Sequence, residues 1–184
     1  MFVVCDLKLA DAWVVARSAV AVSQLQITNY ETQLMISVRP ISTPADLETA
    51  FAIRQQVFVE EQQVSREEEF DEFEDTSTHF LAYSDNTPCG TARWRRTSNG
   101  IKLERFAVLP DCRKKGVGKA LVRAVLDDVF NQQPEPIERI YLHAQLTAMP
   151  LYASFGFVSV GPMFEEAGIQ HYKMVLPGSA YATE

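Results

Sequence analysis

Apolar and polar positions recur along this chain with a period that changes several times, and each change marks an element. Residues 35–39 alternate apolar and polar as a short strand does. Thr43-Pro44 supplies a capping hydroxyl and a first-turn proline, and Leu47, Phe51, Ile53, Val57 and Phe58 carry a helix on towards Glu60. Residues 79–83, 90–96 and 101–109 read as three strands separated by turns at Asp85-Asn86-Thr87-Pro88 and Ser98-Asn99-Gly100. The alternation of the third slips at Glu104-Arg105-Phe106, which predicts a β-bulge. Leu121, Val122, Val125, Leu126 and Val129 form the apolar face of a helix over 117–130. A strand over 139–144, a short helix over 148–155 ended by Gly156, and a strand pair at 157–160 and 169–176 complete the pattern. This order predicts a mixed α/β domain over 35–177.

Residues 1–34 differ. They hold neither Gly nor Pro and lead into a second methionine, Met35. Val3, Val4, Leu7, Ala10, Val14 and Val15 fall near helical spacing, so a short amphipathic helix is expected in what is either a dispensable extension or a start assigned too early. Residues 178–184 read as a tail.

The 184 residues carry 24 acids against 17 bases, a net charge of −7, so nucleic acid and anionic membranes are not expected partners. The most apolar stretch, residues 9–22, is interrupted by Asp11 and Arg17 and is too short to span a bilayer, and the order of charge around it does not fit a secretory signal. Cys5, Cys89 and Cys112 are too far apart for a zinc ribbon or a disulfide framework, so no metal and a reducing, cytoplasmic setting are expected. Residues 60–75 hold nine carboxylates and one base, a run that predicts a solvated face.

The chemistry concentrates between Leu103 and Ala120. A strand enters a loop, Cys112-Arg113-Lys114-Lys115-Gly116-Val117-Gly118, that opens a helix. Main-chain N–H groups at such a junction have no helical partner, the helix dipole makes the place positive, and glycine allows an anion close approach. Residues 91–123 hold ten of the seventeen Lys and Arg and only two acids. These features suit a phosphate. Spacing excludes a Walker A loop, which needs Gly where Arg113 stands and Ser or Thr where Ala120 stands. It also excludes a dinucleotide fingerprint, because Leu121 occupies the third glycine position.

The pattern Arg113-x-x-Gly116-x-Gly118 resembles the coenzyme A loop of the GNAT N-acetyltransferases. Tyr152-x-x-x-Gly156-Phe157 is similar to a second element of that family. Residues 53–62, Gly90-Thr91-Ala92-Arg93, Leu103-Glu104-Arg105, Leu142-His143-Ala144-Gln145 and Glu166-x-Gly168-Ile169-x-His171 together resemble its ElaA-type branch. The resemblance implies a mostly antiparallel mixed sheet flanked by helices, with a V-shaped splay between the fourth and fifth strands.

It further implies acetyl-CoA as cosubstrate, an amine acceptor, and direct acetyl transfer in a fold whose edge strands often pair between subunits, with a homodimer as one open assembly. Phe106, Ala107 and Val108 would bond the pantetheine arm, and Arg113, Lys114, Lys115, Gly116, Val117 and Gly118 the pyrophosphate. Glu104 and His143 are the candidate bases and Tyr152 the candidate acid for the departing thiolate. For each a structural reading stands alongside: an ion pair of Glu104 with Arg93 or Arg95, a satisfied histidine, and a packed tyrosine bonded to a carbonyl. Glu60, Glu61, Glu166 and His171 are expected on the acceptor side, where carboxylates would favour a cation. A different acyl group, or a GNAT-fold module that binds acyl-CoA without turnover, are the alternative readings.

Overall fold

The computed structural model describes residues 35–132, 137 and 139–177, so the expected extension and tail lie outside the described residues. Eleven α and β elements carry the architecture. They are β1 (Ile36–Pro40), α1 (Pro44–Arg54), α2 (Arg66–Glu69), β2 (Thr78–Ser84), β3 (Thr87–Thr97), β4 (Gly100–Val108), α3 (Val117–Gln132), β5 (Ile140–Gln145), α4 (Met149–Ala153), β6 (Val158–Glu166) and β7 (Ile169–Leu176). The strands form one sheet in the order β1-β2-β3-β4-β5-β7-β6, antiparallel throughout except for β4 and β5. The expected mixed, mostly antiparallel sheet flanked by helices is therefore observed.

Its helices begin where local chemistry starts them. The Thr43 hydroxyl accepts the Asp46 N–H at 3.2 Å, and Pro44 occupies the first turn of α1. The helix does not run on as a regular α-helix to Glu60: Gln55–Glu61 is wound as a π-helix.

Period-two alternation sorts the sheet into two faces. Ala92 and Trp94 of β3, Ile101 and Leu103 of β4, Ile140, Leu142 and Ala144 of β5, and Met174 and Leu176 of β7 pack with the apolar face of α3. Each α3 residue on that face (Leu121, Val122, Val125, Leu126, Val129) is completely buried, a contribution of about 1.5–3 kcal/mol apiece relative to exposure. On the other face, Ala50, Ile53 and Val57 cover Leu81 and Ala107. Much of the rest of that face on β3, β4 and β5 is polar: Arg93, Arg95, Lys102, Glu104, Tyr141, His143 and Gln145.

The expected bulge is present in β4. Thr91 pairs with Ala107 and Arg93 with Glu104, so Arg105 and Phe106 together oppose Ala92. Arg105 takes φ +59° to make the step. The extra residue reverses the faces beyond it, turning Phe106 towards the α3 core and Ala107 towards α1.

The acidic run meets the expectation of a solvated face only in part. Glu69, Asp71 and Glu74 turn onto the sheet instead, because Arg54 and Arg93 are completely buried and require counter-charges. Glu69 and Glu74 pair with Arg54, Asp71 and Glu74 with Arg93, and Glu69 and Asp71 with Arg105. Glu60, Glu67, Glu68, Glu72 and Asp75 remain exposed. Among the described residues no helix is long and apolar enough to cross a membrane.

Candidate active site

β4 and β5 pair only at Ile101–Ile140 and Lys102–Tyr141, after which the strands part. The gap opens into a cavity of about 410 Å³. Leu103, Glu104 and Phe106 line it from β4, Leu142, His143 and Gln145 from β5, and Tyr152 from α4. All three candidate acid–base residues thus come together on one cavity. The end of β5 is tied to the segment that follows α1, since Gln145 Nε2 donates to Gln62 Oε1 at 2.8 Å.

Glu104 reaches the cavity from inside a ring of cations. Its Oε1 accepts Arg93 Nε at 3.1 Å and Arg95 Nε at 2.7 Å, and its Oε2 lies 2.9 Å from Lys102 Nζ. Burial alone would raise its pKa, but Arg93, Lys102 and Arg95 outweigh it and hold the carboxyl below the usual range. The ion pairs expected with Arg93 and Arg95 both form.

His143 is half-exposed, and its Nδ1 lies 2.9 Å from Glu166 Oε2. A carboxylate can only accept, so Nδ1 donates this bond, and Nε2 is the ring nitrogen left for a substrate. The bond from His143 outweighs burial and lowers Glu166 to about 2. Phe164 packs edge-on to the imidazole at 4.9 Å between centroids.

Tyr152 is buried and packs edge-to-face with Phe106 and Phe157 at 5.8 and 6.2 Å. Among the described residues its hydroxyl has no hydrogen-bond partner, so the expected alternative of a carbonyl-bonded tyrosine is not what is observed. Burial pushes its pKa well above the ordinary phenol value.

The basic turn follows the far end of β4 and does not line this cavity. Lys114 takes φ +60° and Gly116 φ +94°, which brings the chain round into α3 with Val117 buried at its start. Lys114, Lys115 and Lys119 are exposed, with no carboxylate within ion-pair distance among the described residues. Arg113 is already occupied: its guanidinium forms two bonds to Glu61 and donates Nε–H to the Val108 carbonyl at 2.9 Å. A Cβ on Gly118 would stand 3.3 Å from Leu151 Cδ2, so this glycine serves the close approach of α3 and α4. What remains for an anion is the unpartnered main chain of the first helical turn and the three lysines.

The acceptor-side expectations divide. Glu166 and His171 line the cavity, whereas Glu60 and Glu61 do not. His171 donates from Nδ1 to the Ile169 carbonyl at 2.8 Å and stacks on Phe164. His79, expected to be structural, donates to the Glu74 carbonyl at 2.9 Å. The sequence offered Arg95 only as an ion-pair partner of Glu104 and did not single out Lys102, although both line the cavity. The 98–99 turn held the signal, because counting outwards from it sets Arg95 opposite Lys102 and Arg93 opposite Glu104.

A strand pair that separates beside a bulged β4, followed by a phosphate-suited helix start, defines an acyl-CoA N-acyltransferase fold. Comparison with known proteins carries this to a family. The description "Acetyltransferase (GNAT) domain" matches residues 43–177, and the chain belongs to the GNAT acetyltransferase family. It is 40% identical over 134 residues to the uncharacterized N-acetyltransferase YjcF of Bacillus subtilis, covering 70% of this chain and 91% of that one. Protein ElaA of Escherichia coli is 28% identical over 126 residues, covering 66% and 81%. The ElaA crystal structure superposes with a TM-score of 0.68 at 25% identity over 77% of this chain and 99% of that one, in keeping with an ElaA-type branch. A Bacillus subtilis acetyltransferase solved in complex with CoA shares the fold, with a TM-score of 0.57 at 16% identity over 78% and 99% of the two chains. The protein is a GNAT-type acyltransferase.

Proposed function

We propose that the protein moves an acetyl group directly from acetyl-CoA to a primary amine held in the cavity between β4 and β5. The observation that carries this reading is the convergence of His143 with its Glu166 partner and the protonated Tyr152 on the gap that β4 and β5 leave open. The pantetheine arm would lie in that gap against the main chain of Phe106, Ala107 and Val108. Main-chain N–H groups at the start of α3, with Lys114, Lys115 and Lys119, would meet the pyrophosphate. Arg113 holds this turn to β4 and to Glu61 and does not supply free charge to it.

An alkyl ammonium with a pKa of about 10.4 must lose a proton before attack, which costs about 4.6 kcal/mol at pH 7. In this reading His143 takes the proton on Nε2, and Glu166 fixes the tautomer and stabilises the imidazolium formed. Glu104 is left as the counter-ion of Arg93, Arg95 and Lys102, because a carboxylate surrounded by three cations is a poor base. The neutral amine attacks the thioester carbonyl, whose developing oxyanion a main-chain N–H of the bulged strand stabilises. Collapse breaks the C–S bond, Tyr152, kept protonated by burial, donates to the departing thiolate, and the proton lost from the new amide nitrogen returns through solvent to restore the phenol.

The test is thiol release from acetyl-CoA across a panel of primary amines, with calorimetry of coenzyme A on the same material. Saturable release with matching N-acetylated product supports the reading. Coenzyme A binding without release on any amine would leave a binding module instead.

A further inference from the structure

Most carboxylates that line the cavity are already paired, whereas two of its cations share a single carboxylate. Glu69 and Asp71 are each paired with two arginines, and Glu104 with Arg93, Arg95 and Lys102. Glu166 is bonded to His143, and the Glu68 carboxylate accepts the Ser65 hydroxyl at the rim. Arg95 and Lys102 differ. They stand opposite each other on β3 and β4, each with a side chain 16% exposed, and share Glu104 as their carboxylate.

Arg95 is also held in orientation. Its Nε–H bonds Glu104 and its guanidinium carbon lies 3.8 Å from the Phe73 ring centroid, so stacking and one hydrogen bond fix the plane. Among the described residues the ion pair with Glu104 runs through Nε, and neither terminal Nη group donates to a carboxylate. A planar, pre-set pair of donors beside an ammonium is the arrangement that recognises a carboxylate.

We propose that Arg95 and Lys102 bind a carboxylate of the acceptor, so that the substrates are amines that also carry a carboxylate group, as amino acids do. This rests on the transfer reaction proposed above for the same cavity. The register supports it. Lys102 pairs with Tyr141, and His143 lies two residues further along β5 on the same face, with neighbouring strands about 4.8 Å apart. The charge of Lys102 is also felt by Glu166, the partner of His143, which sets the ammonium close to the proposed base. A carboxylate held by Arg95 and Lys102 therefore leaves the amine of the same molecule facing His143. The earlier expectation of a cationic acceptor loses its basis, because the carboxylates meant to attract it are paired or lie off the cavity.

The experiment compares amino acids with their own carboxamides on the full chain. Glycine, β-alanine, γ-aminobutyrate, leucine and lysine are each assayed for thiol release beside the matching amide, with spermidine as a purely cationic amine. Acids are expected to exceed their amides in kcat/KM by about 10-fold or more, the size of a charge-assisted hydrogen bond. Arg95→Gln and Lys102→Gln should each raise KM for the acid by about 10-fold and shrink the preference for acid over amide by a similar factor. Amides or spermidine turning over as well as the acids would overturn the carboxylate site and leave the transferase reading standing. Should no amine release thiol, calorimetry decides separately: N-acetylglycine and N-acetyl-leucine are titrated against their amides into protein saturated with coenzyme A. Tighter binding of the acids upholds the site, and equal binding removes it.

Discussion

Arg93 and Glu104 face each other across the β3–β4 ladder, with Arg93 Nε 3.1 Å from Glu104 Oε1 and the arginine wholly inaccessible to solvent. Arg93 also holds Asp71 and Glu74. One guanidinium therefore joins the cavity wall to the acidic segment that closes over it. Arg93→Met would leave three carboxylates short of a partner, and breaking a buried pair costs about 3–5 kcal/mol. Urea denaturation should show a loss of that order. A loss below about 1 kcal/mol, the range of an exposed pair, would mean that the segment is held by other contacts.

The division of labour between Glu104 and His143 is testable by kinetics. His143→Asn should lower kcat by about 10²–10⁴-fold with coenzyme A affinity preserved, as loss of a general base does. Glu166→Gln should cost less, about 10-fold, because the imidazole remains but loses its oriented partner. If Glu104→Gln instead gave the larger loss in kcat, in protein of native stability, the base would be Glu104.

Tyr152→Phe keeps the ring that packs on Phe106 and Phe157 and deletes a hydroxyl without a protein partner among the described residues. Stability should change by no more than about 0.5 kcal/mol, the usual range where no bond is broken. Thiol release should fall by about 10²-fold or more. Unchanged turnover would remove Tyr152 from the chemistry and leave it a packing residue.

Acid stability should depend on Asp71. Burial alone would raise its pKa, but the hydrogen bonds and charge of Arg93, the Phe73 N–H and the charge of Arg105 lower it to about 2, from an ordinary value of 3.8. A carboxylate with a depressed folded-state pKa stabilises fully above its ordinary value, and that contribution disappears as pH falls through about 2. Stability of the native chain should therefore drop between about pH 4 and pH 2, and Asp71→Asn should flatten this part of the curve. An unaltered acid limb in Asp71→Asn would place the titration elsewhere.

The coenzyme A turn predicts a contrast between its bases. Arg113 is bound to Glu61 and to the Val108 carbonyl, so Arg113→Gln should change coenzyme A affinity by less than about 3-fold, as loss of an exposed pair would. Replacing Lys114, Lys115 and Lys119 together by Gln should weaken binding by about 10-fold or more and flatten its salt dependence. The reverse ranking would show that Arg113 leaves Glu61 when the nucleotide arrives.

Much of this was legible in the chain itself. The cap at Thr43, the slip at Glu104-Arg105-Phe106 and the apolar face of α3 each depend on residues a few positions apart, and each forms where the pattern put it. The π-wound segment after Arg54 was not legible, and neither was the length of β6, which continues to Glu166 through residues with no clear alternation.

Periodicity, capping and turn chemistry act over one or two turns of backbone, so the linear order of residues determined the elements, the bulge and the anion-suited start of α3. Charge pairing acts through space and depends on desolvation, which exists only once strands from distant parts of the chain lie side by side. Tertiary structure alone decided that Glu69, Asp71 and Glu74 turn inward to Arg54 and Arg93, that Glu104 is neutralised while His143 meets Glu166, and that Arg95 and Lys102 share one carboxylate on the cavity wall.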